Sequence, residues 1–134
     1  MLKTLRKDLL LFSAGGIAYG AVELIWRQRT HWTMILTGGA CFLALYKLYG
    51  RFPQLSMPER CVLGSLVITS LEFAVGCVVN LGFGLGVWDY SRMPMNILGQ
   101  VCLLYSVLWG LLCIPISILC KILHSKTSVK YKEA

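Results

Sequence analysis

Two acidic residues, Glu23 and Glu72, stand inside long apolar runs of this sequence, and chemistry is expected there first. An ionisable group in lipid is costly, so it usually faces the interior of a helix bundle and marks a function. Glu72 is the deeper of the two. It falls about eleven residues into its run, or roughly 16 Å at about 1.5 Å per residue, near a bilayer midplane. Gly76 and Asn80 follow at steps of four, so all three lie close to one helix face. That polar face fits a proton-responsive or ligand-binding carboxylate. It fits equally a glutamate that ties helices together by hydrogen bonds. Glu23 precedes Arg27 by four residues, the spacing of a helical ion pair. Gly16 and Gly20 share its face, and close packing is their better reading. Three further candidates follow: Asp89 in Trp88-Asp89-Tyr90-Ser91-Arg92, then Asn96 and Gln100 one turn apart. Counted inward from the outer face, Glu23, Asn80, Asp89, Asn96 and Gln100 all fall in the outer half, with Glu72 deepest. This predicts a polar pocket that opens outward. Trp88 and Tyr90 read as interface anchors.

The elements that must position these residues are four apolar runs, at about 9–26, 32–49, 61–81 and 96–120. Each is close to the ~20 residues a helix needs to cross ~30 Å of hydrocarbon. Helices satisfy their own backbone hydrogen bonds, so they are the economical way to span lipid. The expected fold is all-α: an integral membrane bundle of four transmembrane helices over residues 1–120, then a basic cytoplasmic tail over 121–134. Pro53 and Pro58 break the chain between the second and third runs. Lys47 is placed to snorkel outward, and Pro115 to kink the fourth helix or be tolerated in its inner half. With four spans, both termini share a side with the middle loop. That side holds Lys3, Arg6, Lys7, Lys47, Arg51, Arg60, Lys121, Lys126, Lys130 and Lys132; the other holds only Arg27, Arg29 and Arg92. The imbalance predicts cytoplasmic termini and one fixed orientation. The first run is too long for a removable signal peptide and lacks a small-residue cleavage site. The two halves echo one another faintly, and chance similarity between apolar segments is the better account.

Composition agrees. The chain has 134 residues, 57% of them hydrophobic and 14% charged, with a mean hydropathy of +0.68. A soluble domain of this size could not hide so much apolar surface. The net charge of +7 falls in clusters between apolar runs, not along one basic stripe, so nucleic acid is not an expected partner. The six cysteines form no Cys-x-x-Cys pair and read as buried free thiols. His31 and His124 have no ligand spacing to a second His or Cys and read as solvated residues, so no metal is expected. No Walker motif, Gly-x-Ser-x-Gly or His-Glu-x-x-His is present. No cofactor is implied, and an ATP-driven process would need a separate partner.

The stretch from Glu72 to Trp109 carries a more specific pattern. It comprises Val87-Trp88-Asp89-Tyr90-Ser91, Met93-Pro94-Met95-Asn96 and Gly99-Gln100-Val101-Cys102, then Ser106 and Trp109. Gly15-Gly16, Tyr19, Glu23, Arg27, Thr30-His31 and Gly38-Gly39 extend it towards the N-terminus. The pattern covers most of residues 12–110. It resembles the CmpB-like family of type IV ABC-transporter membrane proteins of bacteria. The resemblance implies a bacterial multi-pass protein and lends weight to the polar positions named above; it brings no catalytic residues with it. The short stretch after the fourth run leads to the expectation that the chain is the membrane core of longer relatives.

The sequence thus predicts a small transport or permeation component of the bacterial inner membrane. Its outward-facing pocket uses Glu72, Glu23, Asn80, Asp89, Asn96 and Gln100, with Glu72 as the proton- or ligand-responsive group. Expected partners are the bilayer and either a second copy or another membrane protein. Two other classes stay open: a membrane-embedded enzyme acting on a lipid or isoprenoid, and a non-catalytic scaffold subunit.

Overall fold

The computed structural model describes residues 1–133, with side chains through Thr127. Of the expected basic tail, Ala134 and the side chains of residues 128–133 lie outside the described residues. Four long helices make up the fold: α1 (Leu2–Arg27), α2 (Trp32–Arg51), α3 (Met57–Gly76) and α4 (Leu103–Glu133). A wider π-helical turn, Cys77–Gly82, extends α3, and two strands of two residues each, β1 (Asn96–Ile97) and β2 (Val101–Cys102), precede α4.

Local chemistry sets the helix ends. α1 stops where Gln28 turns left-handed at φ 57°. The His31 ring starts α2: its Nδ1 accepts from the Thr33 amide at 3.3 Å and lies 2.7 Å from the Thr33 hydroxyl. Ser56 and Glu59 form a capping box on α3, and Pro58 sits in the first turn, where a missing N–H leaves no bond unmade. α1, Met57–Gly82 and Leu103–Thr127 are long and apolar enough to cross a membrane. α2 falls short of that hydropathy. It is the most enclosed of the first three helices, with Thr33, Thr37, Tyr46 and Tyr49 all buried, so its neighbours shield the polar groups that lower its apolar character.

The helices form two antiparallel pairs, α1 on α2 and α3 on α4, with α2 also touching α3 and α4. The first pair closes along small residues. A Cβ on Gly16 would lie 2.6 Å from the Ile35 carbonyl oxygen, so only glycine lets the two backbones meet there. The second pair is tied by hydroxyls: Ser65 donates to the Ser106 carbonyl at 2.6 Å, and Thr69 lies 2.9 Å from the Ser106 hydroxyl. Leu45, Tyr49, Cys113 and Cys120 fill the core where α2, α3 and α4 converge. All six cysteines are free.

Arg60 locks the end of the bundle near Pro53. It is 2% exposed. Its guanidinium donates to the carbonyls of Leu55 (3.1 Å) and Pro53 (3.3 Å) and to the Ser117 hydroxyl (3.1 Å). It also lies 4.9 Å from the centre of the Tyr49 ring. One charged side chain thereby joins the α2–α3 loop, α2 and α4. Lys47 pairs with Asp8 at 2.7 Å, an exposed contact worth about 0–1 kcal/mol. His124 is not a solvated residue. Its ring stacks on Tyr46 at 4.0 Å, and its Nε2 lies 3.0 Å from the Tyr46 carbonyl oxygen.

The helices and the apolar runs differ most before α4. A helix from Asn96 does not form, because Met95, Leu98 and Gly99 all take positive φ. Leu98 and Gly99 occupy the middle of a tight turn closed by the Gln100 amide on the Ile97 carbonyl at 3.0 Å. Asn96 and Gln100 therefore sit on a hairpin and not one helical turn apart.

The two helix pairs make opposite predictions for alanine. Gly16→Ala should lower thermal stability in detergent by about 1–3 kcal/mol through backbone overpacking. At Gly110 an added Cβ meets nothing closer than 3.6 Å. Gly110→Ala should therefore be neutral or stabilise by up to about 1 kcal/mol through helix propensity. Equal melting temperatures for Gly16→Ala and wild type would show that the α1–α2 seam is not tightly closed.

Candidate functional site

Glu72 lies on α3 and is 3% exposed. Its two carboxylate oxygens accept from different neighbours: Oε1 from the Tyr90 hydroxyl at 2.9 Å, and Oε2 from the Trp109 indole N–H at 3.0 Å. Tyr90 comes from the loop after α3 and Trp109 from α4. Both donors are neutral, and among the described residues no cation pairs with this carboxylate. Aromatic rings continue outward from it. Tyr90 stacks on Tyr105 at 4.8 Å, Tyr105 lies 6.1 Å from Trp109, and Trp109 lies 6.0 Å from Tyr19 of α1. The Tyr19 hydroxyl reaches Glu23 Oε1 at 3.4 Å. The chain of rings thus joins the two buried glutamates. Glu23 also takes Arg27 at 3.4 Å, and Arg27 donates to the Val87 carbonyl at 3.2 Å.

Two chambers flank these rings. The helix chamber, about 380 Å³, lies among all four helices. Its walls are apolar apart from Glu72, Tyr19, Thr37 and Cys41. Ala14, Ala18 and Val22 on α1 and Leu119 on α4 are wall residues that are also exposed, so the chamber opens sideways between α1 and α4. The loop chamber, about 520 Å³, is lined by Glu23, Arg27, Arg29, Asp89, Tyr90 and Tyr105, among others. Tyr19, Val22 and Trp109 belong to both walls. They form the partition between an apolar space and a polar one.

The remaining candidates build the loop that supplies Tyr90. Asn80 stands on the π-helical turn, so it is displaced from a plain four-residue step after Gly76. Its carbonyl accepts from the Val87 amide at 2.7 Å, and its NH₂ donates to the Gln100 side chain at 2.8 Å. Gln100 then donates to the Leu98 carbonyl at 2.9 Å, and its own backbone carbonyl accepts from the Trp88 indole at 2.9 Å. Asn96 binds the Ser91 and Met93 carbonyls at 3.2 and 2.9 Å and accepts from the Gly99 amide at 3.0 Å. Gly76 makes room for this assembly, because a Cβ there would meet the Gln100 side chain at 2.6 Å. Asn80, Asn96 and Gln100 line neither chamber; Glu72, Glu23 and Asp89 do. Asp89 accepts from the Ser91 amide at 2.8 Å, which holds its carboxyl below the usual range.

Trp88 is 2% exposed and packs against Met34 and Val79. It is a core residue and not an interface anchor. Tyr19, Tyr90, Tyr105 and Trp109 are the site residues that spacing alone did not single out. Aromatics are expected in any membrane helix, so their types carry no signal; only partners brought from other elements reveal them. Among the described residues, no group of three His, Cys, Asp or Glu side chains is arranged to hold a metal.

Asn80→Ala would leave the Val87 amide and the Gln100 carbonyl group without their partners, at a cost of about 1–3 kcal/mol. Hydrogen exchange at the Val87 amide should then run about ten- to a hundredfold faster, as 1.4 kcal/mol is about tenfold. An unchanged rate would mean that the loop is held by something other than its amide side chains.

No curated protein and no solved structure matches the chain. The model of one family, described as "Putative ABC-transporter type IV", matches residues 7–133. This range takes in all of the site, from Tyr19 through Glu72 and Tyr90 to Trp109, and the chain belongs to this transporter-related family.

Proposed function

We propose that this protein is a small transport or permeation component of the bacterial inner membrane, spanning it four times with both termini cytoplasmic. The family and the three apolar helices support a transporter-related membrane protein. The lysine and arginine distribution supports the orientation. In that orientation α2 is the fourth span, and the loop chamber faces outward.

One observation carries the transport reading. A carboxylate without a cation faces a chamber of about 380 Å³ inside the bundle, and that chamber adjoins a polar one across a partition of three side chains. A subunit that only scaffolds a neighbour would pack its acidic residues and leave no such space. In the proposed path, solute enters the loop chamber past Glu23, Arg27 and Asp89. Tyr19 and Trp109 then separate it from Glu72. Movement of α1 against α4 would open the partition, since those helices carry the two rings. A copy of the chain or another membrane protein would complete the transport unit, and energy from ATP would have to come from such a partner.

The sideways mouth between α1 and α4 favours a second reading, an enzyme acting on a lipid or isoprenoid. Acid–base chemistry there needs a second free group near Glu72. Glu23 is engaged by Arg27 and Tyr19, so transport is the better-supported function.

The path has a direct test. Thr37 lines the helix chamber. In a chain whose native cysteines are replaced by alanine, Thr37→Cys should react with a membrane-impermeant methanethiosulfonate reagent added outside, as read by mass spectrometry. Reaction from the cytoplasmic side only, or none, would overturn the outward path. Separately, a fluorescent protein that matures only in the cytoplasm should glow when fused to the C-terminus. A dark but intact fusion would reverse the orientation.

A further inference from the structure

We propose that the helix chamber binds a lipophilic monocation, with Glu72 as the counter-charge and the Tyr19 and Trp109 rings as its cradle. This rests on the reading of the chamber as a ligand site and names the class of ligand.

Charge comes first. A buried carboxylate is expensive unless paired, and ionisable groups in a membrane protein normally pair with one another. Two cations that reach into the bundle are already engaged. Arg27 binds Glu23 and the Val87 carbonyl, and Arg60 binds Ser117 and the loop carbonyls. Glu72 has two neutral donors only, Tyr90 and Trp109. An ionised carboxylate offers about four acceptor positions, so about two stay open towards a ligand.

Shape and polarity come next. The volume of about 380 Å³ is that of a small-molecule site, as such pockets run from about 300 Å³ upward. Nearly all of the wall is apolar, and among the described residues no basic side chain lines it. An anion would therefore lose its hydration shell with nothing in return. A small hydrated cation would meet one carboxylate and otherwise hydrocarbon. A cation whose charge is spread over apolar groups loses little water, fills the apolar wall and meets the carboxylate. Tyr19 and Trp109 add aromatic faces, whose negative potential attracts a desolvated cation. The mouth between α1 and α4 admits such a molecule from the bilayer, where lipophilic ions accumulate.

Glu72→Gln is a clean probe, because its amide can keep both hydrogen bonds. The carbonyl oxygen still accepts from Trp109. The NH₂ group donates to Tyr90, whose hydroxyl can accept as well as donate. Only the charge is lost.

The experiment is equilibrium binding of radiolabelled tetraphenylphosphonium to the full chain in lipid nanodiscs, with empty nanodiscs subtracted. Tetraphenylborate, of similar shape and opposite charge, is the comparison ligand. The expected result is saturable binding of the cation, none of the anion, and at least a tenfold loss in Glu72→Gln. Asp8→Asn, which removes a carboxylate outside the chamber, should bind like wild type. Leu112→Trp, which fills the chamber and keeps the carboxylate in the sequence, should also abolish binding and covers the case in which Glu72→Gln misfolds. Equal binding of both ions, undiminished binding by Glu72→Gln or undiminished binding by Leu112→Trp would each overturn the proposal. The two readings fail separately. Labelled Thr37→Cys without cation binding leaves the path standing and removes the ligand class; cation binding with unlabelled Thr37→Cys does the reverse.

Discussion

The structure depends on how one buried carboxylate is held. Glu72 sits in the interior of an apolar bundle, and a bare negative charge there would be too costly to keep. Two neutral donors meet it, and they come from elements distant in sequence, Tyr90 from a loop and Trp109 from α4. Satisfying one residue therefore requires the loop to turn back into the bundle and α4 to present a chosen face. The aromatic ladder from Tyr90 to Tyr19 follows, because the rings that reach Glu72 must stack on something. The same ladder ends at Glu23, so the positions of the two glutamates are linked through packed rings rather than through charge.

The loop between α3 and α4 shows what that requirement entails. Where it is buried, at Trp88, Gly99 and Gln100, its backbone groups need partners. Three amide side chains supply them. Asn80 and Gln100 bind each other, the three amides together bind five backbone groups, and they leave the chambers to Glu72, Glu23 and Asp89. An amide can donate and accept at once without carrying charge, so it suits this work better than an acid would. Gly99 is needed at the centre: its φ of 71° suits a residue without Cβ, and a Cβ there would approach Asp89 at 3.1 Å. The π-helical turn has a similar place in the scheme, since it re-aims Asn80 towards the loop at the end of α3.

At the far end of the bundle a cation plays the corresponding part. Arg60 is buried and satisfied by carbonyls, a hydroxyl and a ring, with no carboxylate among the described residues. The bundle thus holds a buried negative group in its interior and a buried positive group near one end. The apolar chamber lies between helices that these two anchors keep in place. α1 is bound mainly to α2 through the glycine seam, and it meets α4 through the Tyr19–Trp109 contact. That leaves the α1–α4 side as the open face of the bundle.

The sequence by itself determined the solvent of this protein. The length and apolarity of its runs, and the rarity of charge within them, are properties of composition and spacing, which lipid reads directly. It also marked Glu72 and Glu23, which the bundle buries, and placed Arg27 within reach of Glu23, because a four-residue helical spacing is a local distance. What it could not determine was the start of α4 or the work of Asn96 and Gln100. Both hinge on positive φ at Met95, Leu98 and Gly99, and for the non-glycine residues that conformation is imposed by the packed loop and not by the residue type. Nor could it separate the polar residues that line a chamber from those that hold a loop, since Asn, Gln and Glu in an apolar run look alike until their partners are known. Tyr90 and Trp109 gained their meaning from tertiary structure alone. Residues eighteen and thirty-seven positions from Glu72 become its hydrogen-bond donors only when the chain folds back on itself, and no local spacing encodes that contact.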